Sequence, residues 1–228
     1  MKSSRVLQPI VQESTPSLIA AQLRRHIAEG SLQPGAQLVE ADIARELGVS
    51  RGPIREAIQR LTQEGLLVSI RNRGVFVSEF DESDIRDIYE ARTAVEKAAA
   101  GILADGDRAH AGAELLRCVE RMDEATSADD ETAVSEADIA FHEKLVEMAA
   151  SPRLSKMHAT LLTETRMCLN RLQGRYDDES VRVAEHRGIA EAIRDGKRDL
   201  VMDRLDAHKD DALARLLPDH EAKSTAVF

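Results

Sequence analysis

Asp138 and His142, within "ADIAFHEKL" at residues 137–145, are four positions apart, so on a helix they project from one face, one turn apart. Ile139, Phe141 and Leu145 beside them are apolar and turn that helix toward a core. His186 in "AEHRGIAEAI" and His208 in "RLDAHKDDAL" have their midpoint at Lys197, inside the break "DGKRD" between two helical stretches. Helices folding back at that break bring the two imidazoles level, about 16 Å from the turn at ~1.5 Å per residue. Three imidazoles and one carboxylate suit a divalent ion such as Zn²⁺, Ni²⁺ or Mn²⁺. The facing helices of a bundle are a place where such sites are built. Taken singly, each histidine also reads as a helix-surface residue or a hydrogen-bonded core residue. His26, His110, His158 and His220 have no comparable company and read as ordinary.

A second set of residues has the types and spacing for nucleic acid. Arg51 and Arg55 lie four apart in "SRGPIREAIQRL", at the start of a helix for which Ser50 is the natural cap. Both then point the same way from the end that would enter a major groove. Arginine offers a two-pronged donor to guanine or phosphate, and Ser50 could cap the helix, contact phosphate, or both. Downstream, Arg71, Arg73 and Gly74 fall in "RNRG" between two β-prone runs, the tip of a hairpin. Isolated arginines of this kind are most often solvated charges. Cap, helix and basic hairpin together point to DNA.

These residues need a scaffold, and the periodicity supplies one. A first helix follows the cap and proline of Thr15-Pro16, with Leu18, Ile19, Leu23 and Ile27 on one face and Gly30 as its stop. "LQPGAQL" reads as a turn, and "EADIAREL" as a short helix turning Ile43, Ala44 and Leu47 inward and ending at Gly48. The Arg51 helix follows and runs to Gly65, then strands at Leu67–Ile70 and Val75–Phe80. Helix, glycine turn, helix and hairpin make a winged helix-turn-helix. From about Asp81 the pattern is helical throughout: 83–104, 108–126, 130–149, 152–173, 178–195 and 198–217. The fold class expected is mainly α, an N-terminal winged helix-turn-helix followed by an all-α antiparallel bundle. Its expected parts are an arm at 1–14, the DNA-binding domain at 15–80, the bundle at 81–217 and a polar tail at 218–228.

Composition bounds the function classes. Of the 228 residues 43% are apolar, 32% charged and 3% aromatic, and no apolar run is long enough to span a bilayer. The start lacks the apolar block of a secretory signal, so a cytoplasmic protein is expected. Cys118 and Cys168, without metal-binding or redox spacing, read as reduced, partly buried thiols. Residues 1–80 carry 10 basic and 8 acidic side chains and the remainder a net charge of −12, so an anionic polymer would be met by the front.

"GVSRGPIREAIQRL", the following "EGLL" and the R-x-R-G-x-F-V wing resemble the winged helix of the GntR family of bacterial transcription regulators. The resemblance places DNA contacts on Arg51, Arg55, Arg71, Arg73 and Gly74. Some members carry a further basic residue early in the second helix, where this chain has Ala41. The bundle's D-x-x-x-H, E-H-x-x-I-x-x-A-I and later histidine resemble the FadR-type effector domain, in a six-helix, VanR-like form. That resemblance implies a divalent metal on Asp138, His142, His186 and His208. It also implies a cavity-facing arginine, Arg92 in "DIYEARTAVEKAAA", which would bind a carboxylate effector or pair with Glu96.

The function expected is a homodimeric regulator, reading an inverted-repeat operator and controlled by a small carboxylate metabolite at the metal. Release from DNA, hence repression in the absence of effector, is the commoner family outcome. One alternative is a regulator that senses the metal itself, with no organic effector. Another is a metalloenzyme; it would need a general base, and Glu185, next to His186, is expected to face away from the ion.

Overall fold

A computed structural model describes residues 14–169 and 179–217 of the chain. The arm before residue 14, the end of the expected 152–173 helix with the break after it, and the tail from 218 lie outside the described residues. The chain divides into two compact units, with the division between Ser78 and Glu79.

In the first unit α1 (Thr15–Ala28) begins one residue earlier than the proline suggested, because Ser14 rather than Thr15 is the cap and its hydroxyl accepts from the Ser17 amide. Ile19, Ala20, Leu23 and Ile27 form its buried stripe, whereas Leu18, expected on that face, is exposed. The stripe meets Ile54, Ala57, Ile58 and Leu61 of α3 (Arg51–Gln63), one face at helical spacing. Arg24 of α1 locks the pair by a forked ion pair to Glu64, with Nε at 3.1 Å from Oε2. Between them α2 (Glu40–Leu47) ends at Gly48, as expected.

The hairpin strands are β2 (Leu67–Ile70) and β3 (Gly74–Val77). A further strand, β1 (Gln37–Leu38), was not legible, and it corrects the reading of "LQPGAQL" as a turn alone. It pairs antiparallel with β3, giving the sheet order β1-β3-β2, with Leu38 opposite Val75 and Ile70 opposite Gly74. Two residues are too few to show an alternating pattern.

The second unit holds six helices among the described residues: α4 (Glu82–Asp105), α5 (Arg108–Ser127), α6 (Glu131–Met148), α7 (Pro152–Leu169), α8 (Glu179–Arg194) and α9 (Arg198–Leu216). Asp81 starts α4 in a reciprocal capping box with Asp84, and Asp107 and Asp130 cap α5 and α6. The core is apolar side chains such as Leu115, Val119, Phe141, Leu145, Ile189 and Ile193, with α5 packed most extensively against α8 and α6. Cys118 and Cys168 are both buried.

Candidate functional site

The buried centre of the bundle is polar at one place. Asp138 and His142 from α6, His186 from α8 and His208 from α9 are all buried, and one ligand atom from each lies within 4.8 Å of every other. His186 and His208 have their ring centroids 4.6 Å apart, level with each other across the α8–α9 hairpin. His142 stacks on His208 at 5.2 Å, and the Phe141 ring closes the cluster edge-on against His186 at 4.7 Å.

The outer ring nitrogens fix which way the inner ones point. His186 Nδ1 donates to the Arg182 carbonyl at 2.8 Å; a carbonyl only accepts, so the proton is on Nδ1. His208 Nδ1 faces Glu185 Oε2 at 2.8 Å, and His142 Nδ1 lies 3.1 Å from Glu96 Oε1. This backing by carbonyl and carboxylate orients imidazoles for an ion. Inside, His186 Nε2 is 3.2 Å from both His142 Nε2 and Asp138 Oδ1. Lone pairs of these atoms cannot face one another in a buried place unless a proton or a cation lies among them.

Electrostatics keeps the cluster ready for a cation. Burial pushes His142 down to about 4 and His208 to about 3, against the partial opposition of Glu96 and Asp138. Both are therefore neutral ligands at pH 7. Burial disfavours the Asp138 carboxylate, but the hydrogen bond and charge of His186 hold it well below its ordinary range. The donor set thus fits a divalent ion: four donors, of which two are neutral imidazoles and one an anion.

Three neighbours make contacts that the sequence did not reveal. His158, read as ordinary, is buried on α7 with Nε2 3.0 Å from Glu96 Oε1. Glu96 is buried beneath His142 and pairs with Arg92, whose Nε lies 3.2 Å from the same oxygen. Burial opposes its ionisation, but the Arg92 guanidinium and His142 hold Glu96 well below the usual carboxylate range. Glu185, expected to face away from the ion, contacts one of the four donor residues from its outer side: Oε2 lies 2.8 Å from His208 Nδ1 on the next helix. The i, i+4 spacing offered Glu96 as a partner for Arg92, but not its contacts with His142 and His158, and nothing in the sequence marks His158. Arg92 itself is 2% exposed and stacks on Tyr89, with its guanidinium carbon 4.8 Å from the ring centroid.

In the other unit Arg51, Arg55, Arg71, Arg73 and Gly74 are exposed, as is Ser50 at the α3 cap. The Ser50 backbone is extended but its hydroxyl makes no capping bond. Arg55 Nε is 2.8 Å from Glu40 Oε2 of α2, a pairing the spacing did not reveal. At the wing, Gly74 (φ 116°) sits where a Cβ would meet the Gln37 amide nitrogen at 2.7 Å. That same amide donates to the Arg73 carbonyl at 2.9 Å, so β1 steadies the wing tip.

Comparison with known proteins agrees with both halves. Residues 16–77 match the family described as bacterial regulatory proteins, gntR family, and residues 87–211 match the FCD domain. An uncharacterised HTH-type transcriptional regulator of Agrobacterium vitis is 38% identical over 131 residues, 56% of this chain and 77% of that protein. The gluconate operon transcriptional repressor of Bacillus licheniformis is 27% identical over 223 residues, 94% of this chain and 91% of the repressor. Among solved structures, a GntR regulator from Rhodococcus sp. RHA1 superposes with TM-score 0.74 at 29% identity, covering 90% of this chain and 98% of that one. The chain therefore belongs to the GntR family of bacterial transcription regulators, in the branch that carries an FCD domain.

Proposed function

We propose that this regulator is a homodimeric, cytoplasmic repressor whose operator affinity is set by a small carboxylate metabolite bound at a divalent ion. Asp138, His142, His186 and His208 hold the ion, which is zinc, nickel or manganese. The observation that carries the reading is the convergence of four buried donors, with His186 and His208 hydrogen-bonded at their outer nitrogens to the Arg182 carbonyl and Glu185, and His142 Nδ1 3.1 Å from Glu96. An ion held by these residues would supply a Lewis-acidic anchor for the carboxylate. Arg92 adds a charge-assisted contact to the same carboxylate. The gluconate repressor among the relatives is named for an operon concerned with such an acid.

Arg51 and Arg55 enter the major groove, Ser50 meets phosphate, and Arg71, Arg73 and Gly74 bring the wing to the backbone. Two copies read an inverted repeat. The effector changes operator affinity to the extent that it prefers one arrangement of the regulator over another.

The test is elemental mass spectrometry on protein purified without added metal or histidine tag, beside His142→Ala. About one divalent ion per chain, lost in the variant, is expected. Metal-free protein that also resists reconstitution would refute the metal centre. Operator affinity that responds to the ion and to no carboxylate would instead make the ion itself the signal.

A further inference from the structure

One carboxylate oxygen beside the four donors is approached by more donors than it has lone pairs for. Glu96 Oε1 has His158 Nε2 at 3.0 Å, His142 Nδ1 at 3.1 Å and Arg92 Nε at 3.2 Å. Such an oxygen offers about two lone-pair directions. His158 makes an aligned hydrogen bond. Arg92 Nε and His142 Nδ1 stand at ion-pair distance without one, although both atoms are fully buried. A buried guanidinium with a poorly satisfied N–H, next to a cluster built for a cation, gains by meeting a second anion.

We propose that Glu96 is an internal competitor for Arg92, holding the guanidinium that a ligand carboxylate must take over and thereby setting how tightly a carboxylate binds. His158 is the counterpart that makes the exchange possible. When Arg92 turns to the ligand, Glu96 keeps the His158 hydrogen bond, with His142 Nδ1 still 3.1 Å away, and is not left buried and unpaired. Glu96 is a positioning residue in this scheme, acting through Arg92 and His142. The inference rests on the proposed metal-bound carboxylate and adds to it an affinity-setting residue and its support on a second helix.

The experiment uses full-length protein loaded with Co²⁺, whose visible absorption bands report a change of ligands, titrated with acetate. Glu96→Gln removes the competing charge and keeps an acceptor for the histidines; it should bind acetate about tenfold more tightly or better. His158→Phe removes the support and should bind acetate severalfold more weakly. These opposite signs separate competition from damage, which would weaken both. In an Arg92→Gln background the Glu96→Gln gain should vanish. A gain that persists there shows only the general field of a removed charge and overturns the competition. Wild-type protein that binds acetate, with Glu96→Gln no tighter, overturns it too while leaving the metal-bound carboxylate standing. Cobalt uptake with no acetate response in any variant refutes the carboxylate reading and this inference with it. Should Glu96→Gln fail to take up cobalt, His158→Phe decides alone: unchanged or tighter acetate binding overturns the proposal.

Discussion

At the scale of single residues, burial decides what the candidate ligands are before any ion arrives. His142 and His208 are pushed down to about 4 and about 3 by desolvation, from an ordinary value near 6.5. In the unfolded chain both take up protons as pH falls through about 6.5, whereas in the folded state they do not until about 4 or 3. The unfolded state therefore binds more protons in that window, and the ion-free effector unit loses stability as pH falls from about 6.5 to 4. Each histidine contributes up to about 1.4 kcal/mol per pH unit there. Glu164 works in the opposite direction: burial, with Asp87 and Asp84 close by, pushes it up to about 7, so its folded form holds a proton that the unfolded chain gives up above about 4.5. Being partly exposed, it offsets less than one histidine. Urea unfolding of chelated protein should thus show about 1.4 kcal/mol lower stability, or somewhat more, for each unit below pH 6.5, and little change from 7 to 8. Equal stability at pH 5 and 7.5 would mean the histidines are not desolvated as described.

At the scale of elements, α8, which carries His186, is placed by how closely it packs on α5. Gly112 on α5 permits part of that approach: a Cβ there would stand 2.4 Å from Arg194 Cβ and 2.9 Å from its Cα on α8. Alanine would gain about 1 kcal/mol of helix propensity. The clash is with backbone and a β-carbon, which cannot swing aside, and overpacking of that kind costs about 1–3 kcal/mol. The packing effect outweighs the propensity. Gly112→Ala should lower the urea midpoint of the effector unit, and a raised midpoint would show that α8 moves away freely. Helix existence was legible from periodicity and from the breaks between stretches; the caps Asp81, Asp107 and Asp130 ahead of α4, α5 and α6 are what the structure adds. Leu18 and β1 were not: the first is an apolar residue at the edge of a stripe, the second a pair of residues whose only reason to be extended is the β3 edge.

At the scale of the whole molecule, the residues proposed for DNA and for the ion lie in two different compact units, so their lesions should separate as well. Arg55, exposed on α3, pairs with Glu40 within the first unit. Arg55→Ala should weaken operator binding by about tenfold or more, the range for a lost arginine contact of about 1–3 kcal/mol, and leave the metal content at its wild-type value. His142→Ala should do the reverse for metal while leaving the winged helix folded. Undiminished operator affinity in Arg55→Ala would move the recognition surface elsewhere on the unit. Among the described residues no helix is long and apolar enough to cross a membrane.

By itself the sequence determined the helices, the break at Lys197 that sets His186 level with His208, the Asp138–His142 pair one turn apart, and the arginines at the α3 start and wing. All of these follow from local rules of spacing, capping and turn chemistry, which act over a few residues. Only the tertiary structure decided that Glu96, His158, Glu185 and the Arg182 carbonyl surround the four donors, and that Glu40 meets Arg55. The side-chain contacts among these run between different helices or, for the Arg182 carbonyl, to a backbone atom that side-chain types do not mark. Which face of α7 turns inward, and what it meets there, is fixed by packing against the rest of the bundle, and burial then sets the charge of every group it encloses.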